Sequence, residues 1–78
     1  MSYRINVSRK AERDMMRLPY QEKVKIANRI DNLAADPRPA GCLKMKGKSE
    51  ELWRIRSGNY RILYAIDDAV RIIEVRRI

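Results

Sequence analysis

The sequence predicts an α+β fold of order β-αα-βββ, with a helical hairpin packed on one face of a small, mainly antiparallel sheet. Three observations predict it. Residues 2–7 alternate between polar and apolar. Two segments with helical spacing meet at Pro19. Three further alternating runs fill residues 52–78, separated by Gly58-Asn59 and Asp67-Asp68. Helices grouped ahead of a run of strands indicate segregated layers, not alternating βαβ units.

The elements follow in order. Tyr3, Ile5 and Val7 against Ser2, Arg4 and Asn6 make a half-buried strand. Ser8 then stands where an N-cap belongs, its hydroxyl able to accept from a free amide of the first turn. Ala11, Met15 and Leu18 follow at the spacing of a short amphipathic helix. Pro19 ends it, because the residue before a proline is pushed out of the helical region, and also suits the start of a second helix. Val24, Ile26, Ala27, Ile30, Leu33 and Ala34 form the buried stripe of that helix, which is expected to stop at Asp36 before Pro37. Residues 36–51 read as a loop with Pro37, Pro39, Gly41 and Gly47, basic in its second half through Lys44, Lys46 and Lys48. Strands are expected at Leu52–Ser57, Tyr60–Ile66 and Ala69–Ile78, joined by two-residue hairpin turns.

With two-residue turns, the register of the first hairpin is fixed. Trp53 faces Tyr64, Ile55 faces Ile62, and Arg56 faces Arg61. Side chains alternate along a strand, so Trp53, Ile55, Tyr60, Ile62, Tyr64 and Ile66 share the core face. Arg54, Arg56 and Arg61 share the other, within about 10 Å of one another by ordinary strand spacings. The second turn puts Glu74 opposite Arg61. Arg56 across from Arg61 is a like-charge pair that costs stability; a bound phosphate would offset the repulsion.

Composition narrows the partners. The 78 residues carry 18 Lys+Arg against 10 Asp+Glu, a net charge of +8, and twelve of the cations are arginine, whose fork matches phosphate. A polyanion is implied, either nucleic acid or an acidic protein. The single cysteine, Cys42, excludes an intrachain disulfide, and with no histidine a structural zinc site is excluded too. The missing histidine also excludes serine–histidine triads and histidine-pair nucleases. No cofactor and no metal are expected. No apolar run reaches membrane-spanning length, so no membrane association and a cytoplasmic location are expected. A chain this short is marginal alone, so a protein partner is expected.

The segment Lys44-Met45-Lys46-Gly47, followed by Leu52-Trp53-Arg54-Ile55-Arg56-Ser57-Gly58-Asn59-Tyr60-Arg61-Ile62-Leu63-Tyr64 and Asp67-Asp68, resembles the RelE toxins of the RelE/ParE superfamily. Ala11-Glu12-Arg13-Asp14, Leu18-Pro19 and Leu33-Ala34-Ala35-Asp36-Pro37-Arg38-Pro39 extend the resemblance over nearly all of residues 1–78, read as one toxin domain. It implies a type II toxin that enters the ribosomal A site and cuts mRNA by attack of the messenger's own 2′-hydroxyl. It implies a cognate antitoxin, the ribosome and mRNA as partners. Arg61 matches the family's strand arginine, and Arg54 and Arg56 match its paired basic positions. These three are the expected catalytic residues; Lys44, Lys46, Lys48, Arg76 and Arg77 are expected to bind RNA. The family's further C-terminal Arg/Tyr segment has no counterpart after Arg76-Arg77-Ile78, which implies weakened or lost activity.

Plainer readings stand beside these. Arg61 is equally an ordinary cross-strand partner for Glu74. Arg54 and Arg56 also read as a solvated face, and the lysines as a solvated loop. Trp53 reads as core. Two other functions fit the superfamily: a ParE-like gyrase inhibitor, and a non-catalytic antitoxin-binding member. The short helical hairpin and the strand arginines favour RelE. The antitoxin is expected in the groove beside the first strand and the helical hairpin.

Overall fold

The computed structural model describes residues 2–46 and 51–78. Amino-terminal alternation yields β1 (Arg4–Val7), and Ser8 ends it by capping α1 (Arg9–Met16). Ser8 Oγ accepts from the Ala11 amide at 3.1 Å and donates to the Arg76 carbonyl at 3.0 Å. The cap therefore also ties the start of α1 to the last strand. Pro19 separates α1 from α2 (Tyr20–Leu33), and its carbonyl accepts from the Glu22 and Lys23 amides, both at 3.0 Å.

Four strands follow: β2 (Leu43–Met45), β3 (Leu52–Ser57), β4 (Tyr60–Asp67) and β5 (Ile72–Arg77). The sheet order is β1-β5-β4-β3-β2. Only the β1–β5 pairing is parallel; the rest are antiparallel. The β3–β4 hairpin has the expected register, Trp53 with Tyr64, Ile55 with Ile62 and Arg56 with Arg61. Gly58 supplies φ +60°, the left-handed value that a tight hairpin turn needs at its first position.

Both helices cover the same sheet face. Ala11, Ile26, Ile30 and Leu33 meet Ile55, Ile62, Tyr64, Ile73 and Val75, all nine buried. Ile26, Ile30 and Leu33 recur at i, i+4 and i+7, so one stripe of α2 supplies most of the helical half. Val24, expected in that stripe, is 43% exposed. Tyr64 is buried in the centre, and its hydroxyl donates to the Pro37 carbonyl at 2.7 Å. Burial, the largest cause, pushes its phenol up to about 12.

Three expectations are corrected. First, residues 36–51 are not all loop, because Leu43–Met45 pairs with Leu52–Arg54 as β2. Second, β5 starts at Ile72, not Ala69, and the β4–β5 connection has four residues, 68–71. Asp67 Oδ1 accepts from the Ala69 and Val70 amides at 3.0 and 3.3 Å, and Arg71 takes φ 57°. That side-chain-braced turn, not a two-residue one, closes the hairpin. Third, the longer loop moves the register, so Glu74 lies opposite Ala65, not Arg61. The ladder shifts again between Leu63 and Tyr64, whose partners are Arg77 and Val75.

Candidate nucleic-acid interface

The sheet face away from the helices is built mainly by β3 and β4. Alternation within β3 sends Arg54 and Arg56 to it, since Ile55 between them is buried in the core. Arg61 joins them as the partner of Arg56, and Leu63 as the partner of Arg54. Leu43 of β2 flanks Arg54 on the other side. The three arginines expected from the sequence are therefore together on one rigid face.

Their surroundings differ. Arg54 is half-buried between two leucines, and its Nε is shielded from solvent with no hydrogen-bond partner among the described residues. A guanidinium with apolar flanks attracts an anion more strongly than one in open water. Arg56 and Arg61 are exposed. Among the described residues, neither side chain has an ion pair or hydrogen bond. With Glu74 placed opposite Ala65, the ordinary explanation for Arg61 is gone. Glu74 instead pairs with Arg76.

The remaining basic residues are scattered. Lys44 registers with Trp53 and so belongs to the helix-side face, where it lies 5.9 Å from the Trp53 ring centroid and 3.0 Å from Glu51. Lys46 is exposed just past β2. Lys48 lies outside the described residues. Arg77 is held by Asp14 at 3.1 Å, and the same carboxylate oxygen accepts from the Ile78 amide at 3.0 Å. Those two contacts, the backbone one first, hold the Asp14 carboxyl below its ordinary value. Arg77 thus fastens the end of β5 to α1.

Two features escaped the sequence reading. Arg38 forms a forked contact with Asp68 at 2.8 and 3.3 Å, and Tyr3 donates to the same carboxylate at 2.6 Å. The Arg38 and Tyr3 hydrogen bonds depress the Asp68 carboxyl, while Asp68 raises the Tyr3 phenol and the Arg38 guanidinium. Arg38 also lies 5.0 Å above the Trp53 ring, so Trp53 is half-buried under a cation, not fully core. Tyr3, Arg38 and Asp68 lie far apart in sequence, and no local spacing announces them. The second feature is Arg29, whose Nη2 donates to the Arg56 carbonyl at 2.9 Å. β2 covers β3 only as far as Arg54, so Arg29 serves a strand position that β2 does not reach.

A separate apolar groove of about 580 Å³ runs beside β1, lined by Ile5, Val7, Met15, Met16, Ala27 and Ile30, with Glu12 and Asp31 at its rim. It lies beside the first strand and the helical hairpin. Met16 is 75% exposed within it. Among the described residues there is no cluster of metal-ligating side chains and no helix long and apolar enough to cross a membrane.

A helical hairpin on one face of a small five-stranded sheet is the fold shared with small toxins of the RelE/ParE superfamily. The chain belongs to the ParE toxin family of type II toxin–antitoxin systems, parDE, whose family model matches residues 5–78. Among solved structures it is similar to a chain of the archaeal RelE–RelB complex from Pyrococcus horikoshii, with 23% identity, TM-score 0.87, and coverage of 99% of this chain and 92% of that one. The toxin–antitoxin complex RelBE2 from Mycobacterium tuberculosis gives 23% identity, TM-score 0.86, and coverage of 99% and 95%. The isolated E. coli RelE toxin gives 17% identity, TM-score 0.80, and coverage of 97% and 81%. At these identities the likeness is one of fold. No curated protein matches the chain.

Proposed function

We propose that this toxin is a ribosome-dependent mRNA endonuclease acting in the cytoplasm, with the face of Arg54, Arg56 and Arg61 as its phosphate-binding surface and residues 1–78 as one toxin domain. The observation that carries the reading is the unpaired Arg56–Arg61 couple on β3 and β4. Two like charges held opposite one another without a carboxylate are costly in the free protein and favourable once an anion sits between them.

The chemistry follows from what arginine can do. Attack of a 2′-hydroxyl on the neighbouring phosphate forms the P–O2′ bond of a 2′,3′-cyclic phosphate and breaks the P–O5′ bond. Water takes the hydroxyl proton and returns one to the departing 5′-oxygen, while charge builds on the phosphorane oxygens. Preorganised guanidiniums stabilise that charge more than the ground state. They also hold the phosphate in line with the attacking oxygen. Arginine stays protonated at ordinary pH, so these residues act on phosphate, not as bases. Arg54 is the best placed for the transition state, because its apolar flanks raise the worth of each contact. Arg56 and Arg61 position the strand. Lys44, Lys46, Lys48, Arg76 and Arg77 supply general phosphate attraction. Lys44, Arg76 and Arg77 do so less directly, because each has a carboxylate partner.

The groove beside β1 is the proposed seat of the cognate antitoxin. Its apolar lining suits a partner segment that folds on binding, seated there by apolar side chains, while the net charge of +8 elsewhere on the chain suits a partner that is acidic outside that segment. A second reading is inhibition of DNA gyrase, favoured by the family model, which bears the parDE name. Reconstituted translation and gyrase supercoiling assays on one preparation separate the two. Inhibition of translation alone supports the endonuclease; inhibition of supercoiling alone supports the gyrase poison.

A further inference from the structure

One stripe of α2 meets Arg56 at the β3–β4 hairpin. Lys25, Asn28, Arg29 and Asn32 form one stripe of α2 at i, i+3, i+4 and i+7. With Arg56, Ser57 and Gly58 they line an open groove of about 440 Å³. Because β2 pairs with β3 only as far as Arg54, no strand among the described residues separates this groove from the arginine face. Arg29 is anchored by the Arg56 carbonyl, and its Nε is buried with no hydrogen-bond partner among the described residues. Glu22 is the carboxylate at the turn end; it stands 4.0 Å from Lys25, the outer limit of an ion pair, and near Gly58.

We infer that this groove binds a backbone phosphate of RNA, as a second station on a strand that passes round the hairpin edge from the arginine face. The inference rests on the nucleic-acid reading of that face. Lys25 and Arg29 supply charge, and the Asn28 and Asn32 amides can donate to phosphate oxygens without reading sequence. Three cations against one carboxylate leave the groove cationic, and an amide-rich helix stripe has no role in the core it faces away from.

The test is binding of a short single-stranded RNA, and of an RNA duplex of equal length, to the full chain over a range of salt. Lys25→Glu is compared with Lys10→Glu, an equal charge change on α1, and with Arg61→Glu on the proposed interface. Thermal melts check folding of each. Arg29 is left intact because it braces β3. Lys25→Glu is expected to weaken binding about 10-fold and lower the slope of log affinity against log salt by about one, for every RNA sequence. Lys10→Glu is expected to change affinity less than about 2-fold. Glu22→Gln is expected to tighten binding. A stronger effect on the single strand marks messenger-like RNA as the source of the phosphate; a stronger effect on the duplex marks folded RNA. Lys25→Glu equal to Lys10→Glu, with Arg61→Glu still weakening binding, overturns the second station and leaves the interface standing. No effect from either Lys25→Glu or Arg61→Glu overturns both.

Discussion

Replacing Arg61 with glutamine should make this protein more stable and less active. Arg56 and Arg61 are direct cross-strand partners, and such positions hold their Cβ atoms about 5 Å apart. Long side chains splay, so a separation near 8 Å is reasonable for the charged ends. Two unit charges at about 8 Å repel by about 0.5 kcal/mol in water and about 2 kcal/mol at an effective dielectric of about 20. Both side chains are exposed, so the lower figure governs. Arg61→Gln is then worth about 0.5 kcal/mol, or a melting temperature about 2–4 °C higher for a domain of this size. At about 1 M salt, where screening acts within about 3 Å, the gain should vanish. Loss of a charge-assisted contact to phosphate costs about 1.5–3 kcal/mol, so single-turnover cleavage on ribosomes should fall about 10- to 100-fold. Arg56→Gln should give a similar melt, and the double variant should gain no more than either alone, because one repulsion is removed in each case. A less stable Arg61→Gln, or one whose gain survives high salt, refutes the unpaired couple. Undiminished cleavage refutes its use.

Four other outcomes are expected. Tyr64→Phe leaves the half-buried Pro37 carbonyl without its donor, so denaturant unfolding should show a loss of about 1–2 kcal/mol. Spectrophotometric titration should find the Tyr64 phenol ionising near pH 12; its folded value is raised, so its contribution is whole below the ordinary value of 10.0 and is lost as the pH rises toward about 12. Asp14 is depressed below its ordinary value of 3.8, so its contribution is whole above about pH 4 and is lost as the pH falls through the folded value. Asp14→Asn should flatten the acid limb of stability below about pH 4, and an unchanged limb would remove Asp14 from that limb. Met16→Asp places a charge in the groove beside β1 at a side chain already 75% exposed. It should leave the melt within about 0.5 kcal/mol while weakening capture of the cognate antitoxin at least about 10-fold in calorimetry.

Local chemistry made most of this fold legible. Ser8, Pro19 and the Gly58-Asn59 turn each act within a few residues, and alternation from a correct turn places Arg54, Arg56 and Arg61 on one face without further information. The failures are of two kinds. β2 is three residues long and owes its strand geometry to β3, so its own pattern carries no signal. The Asp67-Asp68 pair reads as a two-residue turn, yet the Asp67 side chain braces a longer loop through the Ala69 and Val70 amides. That one difference moved Glu74 away from Arg61 and removed the salt bridge that would have explained the arginine. The Tyr3–Asp68–Arg38 cluster joins the two ends of the chain and depends on the finished fold. So does Arg29, whose partner is a backbone carbonyl on a strand far along the sequence.

The arginine face is proposed to cut messenger RNA held on the ribosome. The direct measurement is primer extension on a programmed mRNA, with purified ribosomes and with ribosomes omitted, for the native chain and for Arg54→Gln. The account predicts a cut inside the A-site codon, none in free RNA, and at least about a 10-fold slower cut by Arg54→Gln. Cleavage independent of ribosomes, or a native chain that leaves the A-site codon intact, would contradict it.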